Sequence, residues 1–138
     1  MRRALTFFAC LISALVLGGC SSVVDPSDNV TQDFNGVLEQ STEFIADIYE
    51  FDVAQNNGEY SITLLDVGPD PNQILTVYLG GVNASGFCVN FQNAIANAIR
   101  GRQALNGPIN KGHYCLGVGA AGNSLKSDTT YSVRLSHP

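Results

Sequence analysis

The sequence predicts an all-β domain, and three observations carry that prediction. Apolar residues recur with period two at Tyr60, Ile62 and Leu64, at Leu75, Val77 and Leu79, and at Tyr131, Val133 and Leu135, with mostly polar residues between them. Turn-forming clusters separate these runs: Asn56-Asn57-Gly58, the breaker Gly68-Pro69-Asp70-Pro71-Asn72, Gly80-Gly81, residues 119–123, and Ser127-Asp128. Past the N-terminal apolar run, helical spacing is confined to residues 91–102, where Phe91, Ala94, Ile95, Ala98 and Ile99 follow Asn90 as a candidate N-cap.

In chain order, Arg2 and Arg3 precede an apolar run, Ala4 to Leu17, that is too short to span a bilayer, and Leu17-Gly18-Gly19-Cys20 closes it. This stretch resembles a bacterial lipoprotein signal, and its last four residues resemble a lipobox. The resemblance implies cleavage before Cys20 and acylation of that cysteine, giving a membrane anchor worth about 0.8 kcal/mol per buried methylene. The alternatives are an ordinary secretory signal cut near Gly19 and an uncleaved apolar helix. Ser21 and Ser22 follow the cysteine where an aspartate would mark retention at the inner membrane, so an outer-membrane or surface location is expected. Residues 20–33 then read as acylated cysteine and polar tether, and residues 34–138 as one domain with room for a single core.

Without residues 1–19 the chain keeps five basic residues against twelve acidic ones, a formal charge of −7. Eleven of the acids precede residue 71, whereas Arg100, Arg102, Lys111, Lys126 and Arg134 all follow it. That balance argues against binding a phosphate backbone, so no nucleic-acid partner is expected. It fits a solvated acidic surface with complementary strands side by side, or else a face for a basic partner.

Of the four cysteines, Cys10 leaves with the signal and Cys20 is the lipidation site, so Cys88 and Cys115 remain as a pair in an exported chain. Phe87, Val89 and Phe91 share one strand face and leave Cys88 on the other; Tyr114, Leu116 and Val118 do the same for Cys115. If the two strands are neighbours, a disulfide would clip them on the outside of the sheet. Two buried free thiols are the alternative. A zinc set is not expected from two cysteines without CxxC spacing and two histidines.

The remaining elements follow from local pattern. Asn56-Asn57-Gly58 predicts a hairpin into the strand starting at Gly58. Over Glu43 to Val53 the apolar phase moves from Phe44, Ala46 and Ile48 to Tyr49, Phe51 and Val53, predicting a bulge or a bend between sheets. Residues 91–102 are read as strand and loop, with a short helix as the alternative.

Together, the strand Gly58 to Leu64, the apolar strand ending in Gly80, Cys88, the run Gly112-His113-Tyr114-Cys115-Leu116-Gly117-Val118 and the closing Tyr131 to Pro138 resemble the bacterial pre-peptidase C-terminal type of domain. The resemblance covers roughly residues 34–138. It implies a single antiparallel, jelly-roll-like β-sandwich and a non-catalytic accessory or binding role, and it transfers no catalytic residue. No attached enzyme domain is expected in this chain, a departure from the usual arrangement of such domains.

A hydrolytic triad needs an imidazole able to reach a nucleophile. His113 reads as a strand-surface residue and His137 as a frayed terminal one. The sequence has no Trp to form a sugar platform. Asp66, Asp70 and Asn72 are candidate calcium ligands, although their spacing is not that of an EF-hand and a proline-stiffened polar turn is the preferred reading. No cofactor is expected. The predicted function is a membrane-anchored, non-catalytic binding or structural module with a protein or glycan ligand; the alternative is an inhibitor of a secreted lysozyme or protease, with an acidic loop entering a basic cleft. The turns are the expected contact surface.

Overall fold

The computed structural model describes residues 25–138. The lipobox and Cys20 lie outside the described residues. Eight strands build the domain: β1 (Val30–Leu38), β2 (Ile45–Val53), β3 (Gly58–Gly68), β4 (Leu75–Val82), β5 (Cys88–Ala98), β6 (Arg102–Ile109), β7 (Gly112–Ala120) and β8 (Thr129–His137). They form two antiparallel four-stranded sheets, ordered β1-β8-β3-β6 and β2-β7-β4-β5. This is the expected all-β sandwich, and its strand order is that of an eight-stranded jelly roll.

Period two sets the core. Ile62, Leu64, Val133 and Leu135 of the first sheet and Val77, Leu116 and Val118 of the second are inaccessible to solvent and belong to one cluster between the sheets. A register shift in the β3–β8 pairing, between Leu64 and Asp66, lets Val67 rejoin the core.

Four expectations are corrected. β2 pairs with β7 in unbroken register from Ile45↔Ala120 to Val53↔Gly112, so it has no bulge. Phe44, just before the strand, and Ile48 are instead exposed on the outside. Asn56-Asn57-Gly58 does turn the chain, with Asn57 at φ 59°, but it joins strands of different sheets and makes no hairpin. Its backbone ties to the neighbouring turn, Asn110 Oδ1 accepting from Asn57 N and Asn56 Oδ1 from Lys111 N. Residues 91–102 follow the preferred reading of strand and loop, and the helical alternative is not taken: β5 runs to Ala98 and β6 starts at Arg102. As an edge strand beside a covalent bridge, this segment has its backbone bonds supplied by β4, and tertiary pairing outweighs the helical spacing. His137 is not frayed; it is buried at 3% exposure, lies in β8 opposite Val30, and packs against Phe51 with the rings tilted and their centroids 4.9 Å apart. Residues 30–33, which composition places in the tether, belong to β1.

Charged residues do meet across strands. Arg134 on β8 donates two bonds to Asp33 on β1, at 2.7 and 2.8 Å, which holds the Asp33 carboxyl below its usual range. Arg100 pairs with Asp66 at 2.7 Å.

Candidate functional site

The two sheet edges on one side of the sandwich are β5 and β6, and the candidate site lies there. Cys88 and Cys115 are joined, with Cα atoms 5.8 Å apart. Their strands are not neighbours, because β4 lies between β5 and β7. The bridge forms because the start of β5 comes over β4 where Gly80 has no side chain: a Cβ there would sit 2.5 Å from the Val89 carbonyl oxygen. Cys115 is still on the outer face, since it alternates with Leu116 and is absent from the inter-sheet cluster. The covering segment leaves it inaccessible to solvent.

Fixing the start of β5 in this way forces a distortion further along. Tyr78 faces Ile95 and Gly80 faces Asn90, so one residue of β4 opposes residues 91–94 of β5. The bulge turns Ala94 into the core and leaves Phe91 at the rim. Along β5 and its flanks, Phe87, Val89, Phe91, Ile95 and Ile99 are all exposed, Phe87 at 68%. These are half of the exposed large apolar residues among the described residues, gathered along β5 and the turns that flank it.

Beside this edge a cleft of about 360 Å³ opens between the sheets. Tyr60 forms its back; Phe91 and Tyr114 form a wall, with rings edge to face at 6.2 Å; Asn93, Asn106 and Asn110 ring the mouth. The side chain of Tyr60 is buried, and its hydroxyl lies beside Gly107. Desolvation raises the pKa of that hydroxyl. Tyr114 donates to the Asn110 carbonyl at 2.9 Å, and Asn110 Oδ1 accepts from Asn57 N, leaving the Asn110 amide N–H groups free to donate. Among the described residues, no charged residue lines the cleft.

His113 stands on the outer face of β7, with its Nδ1 2.8 Å from Asp52 and its Nε2 3.1 Å from Glu50, both on β2. The Asp52 bond first and the Glu50 bond second raise its pKa. An imidazole with both nitrogens engaged by carboxylates is an ion-pair bridge between strands, and it has no free nitrogen for a nucleophile. His137 donates Nδ1–H to the Pro138 carbonyl at 3.0 Å, while its buried Nε2 has no partner among the described residues.

The calcium candidates are used separately. Asp66 is a β3 residue paired with Arg100, and Asp70 accepts from Asn72 N in a local turn. Among the described residues, no group of three or more His, Cys, Asp or Glu side chains converges as a metal site.

One arrangement escaped the sequence reading. Tyr131 donates to Asp47 Oδ2 at 2.5 Å and meets the Tyr49 hydroxyl at 2.6 Å, tying β8 to β2 between the sheets. Desolvation first, then the Asp47 and Tyr49 hydrogen bonds, raise the Tyr131 pKa far above its usual value. Gly36 makes the room, since a Cβ there would lie 2.6 Å from Asp47 Oδ2. An inward acid at Asp47 was the available signal, once β2 is known to be unbroken.

No family model matches the chain, and no curated protein matches it. A solved structure described as "Bacillus endospore appendages form a novel family of disulfide-linked pili" is similar at 12% identity and a TM-score of 0.35, over 86% of this chain and 97% of that one.

Proposed function

We propose that the chain is an exported lipoprotein, anchored to an outer membrane or cell surface through acyl groups on Cys20, whose β-sandwich serves as a non-catalytic binding or structural module. The observation that carries this reading is the bridged β5 edge, where an exposed apolar row lies beside an uncharged cleft. A long exposed edge strand is a hazard unless a partner covers it, and a disulfide holding that edge in place lowers the ordering cost of binding. The resemblance to pre-peptidase C-terminal domains accords with such a role. The inhibitor alternative would draw on the acidic groups other than Asp33, Glu50, Asp52 and Asp66, which are paired within the chain.

The test uses the full chain taken from its own envelope. Mass spectrometry should find an acylated peptide beginning at Cys20, and Cys20→Ala should release the protein or stall the precursor. A photo-crosslinking residue at Phe87 or Val89 should trap a discrete partner that the same residue at Lys126 does not. An unmodified mature N-terminus refutes the anchor. Turnover of peptide, ester or glycan substrates that disappears in His113→Ala refutes the non-catalytic role.

A further inference from the structure

The geometry points to the β5–β6 cleft as a binding site for an uncharged saccharide, with Phe91 and Tyr114 facing the sugar ring and Tyr60, Asn93, Asn106 and Asn110 meeting its hydroxyls. This deepens the binding-module reading and rests on it.

Three features select that ligand class. First, the lining carries no charge, so an ionic ligand would lose hydration without an opposite charge to offset the loss. Second, Tyr60 lines the cleft with a side chain that is 6% exposed, and its hydroxyl lies beside Gly107, another lining residue. A phenol so placed can donate to and accept from a ligand that enters the cleft. Third, an amide or a phenol both donates and accepts, and so does each sugar hydroxyl. An extended proline-rich peptide, the other ligand that favours aromatic walls, presents carbonyls that only accept. It would leave the acceptor half of each amide unused. The missing Trp does not count against the assignment, because Phe91, at 43% exposure, and Tyr114 already supply aromatic surface at the rim. The volume of about 360 Å³ is at the small end of ligand clefts and suits one or two sugar rings with the remainder of a chain running outside.

Four variants test the site while sparing the core. Phe91, Asn93 and Asn106 are exposed, so Phe91→Ala, Asn93→Ala and Asn106→Ala should fold; Tyr60→Phe removes one oxygen from a ring whose packing is unchanged. The full chain is purified in a detergent without a sugar headgroup. It is titrated calorimetrically with cellopentaose, maltopentaose, mannopentaose and N-acetylchitopentaose, and with an oligogalacturonate and a proline-rich decapeptide for comparison.

At least one of the four uncharged oligosaccharides should bind. Each asparagine or tyrosine variant should weaken that binding by roughly 2–10-fold, the worth of one hydrogen bond. Phe91→Ala should weaken it by about 3–10-fold, the worth of one aromatic contact. Melting temperature should stay within the wild-type range in Tyr60→Phe. The assignment is overturned by no saccharide binding at millimolar concentration, by binding that all four variants leave intact, or by the oligogalacturonate or the peptide binding more tightly. Cleavage of a bound oligosaccharide on long incubation would leave the site standing and refute the non-catalytic reading instead.

Discussion

Replacing both bridged cysteines, Cys88→Ala with Cys115→Ala, tests how the β5 edge is held. The bridge closes a loop between residues 27 apart in sequence. The chain-entropy relation assigns such a loop about 3.5 kcal/mol at 25 °C. The 114 described residues carry an unfolding entropy of about 0.24 kcal/mol/K, so the melting temperature should fall by roughly 15 °C. Losing the buried Cys115 sulfur acts in the same direction. The loss should also be local. Beyond the bulge, residues 88–90 pair with β4 only at Gly80 to Val82, so their amides should exchange faster in the variant while those of residues 115–118 on β7 stay protected. Thermal and urea unfolding give the global term, and hydrogen exchange gives the local one. A loss below about 1 kcal/mol together with unchanged exchange at residues 88–90 would refute the reasoning, because the start of β5 would then be held by its backbone pairs alone.

Three further outcomes follow from other contacts. Gly80→Ala should destabilise the domain by about 1–3 kcal/mol in urea unfolding, because the new Cβ meets backbone at Val89 that cannot rotate away; a neutral effect would show that β5 does not lie over β4 there. Tyr131→Phe should cost roughly 1.5–3 kcal/mol, since it strips a partly buried Asp47 carboxylate of its hydroxyl donor, and equal stability would mean that water replaces the bond without loss. For His113 the folded pKa lies above the free value of 6.5, so its contribution to stability is full below that value and fades as pH rises through the folded pKa. Proton NMR should place its titration above 6.5 and find it lowered in Asp52→Asn; titration at or below the free value would contradict the two-carboxylate bridge.

The period-two runs at 60–64, 75–79 and 131–135 determined the class of the domain and most of its core by themselves, because each strand buries one face against the opposite sheet and alternation records that burial directly. Cysteine count, with export as the expectation, likewise named the pair that bridges. Only the tertiary structure decided which strands meet. Asn56-Asn57-Gly58 specifies a reversal but not whether the next strand joins the same sheet, so the turn was legible and the pairing was not. The bridge crosses β4 because Gly80 lets β5 come over it, a close approach that has no signature in either cysteine's own segment. His137 illustrates the same limit: near the chain end its sequence position suggests fraying, but pairing of β1 with β8 carries it into the interior against Phe51. The cleft was illegible for the same reason. Tyr60, Phe91, Asn106 and Tyr114 come from four strands of two sheets, and their convergence depends on edges brought together by long-range pairing and on a bulge set by a covalent bridge. Local pattern records which face of a strand is buried; it does not record what lies across from it.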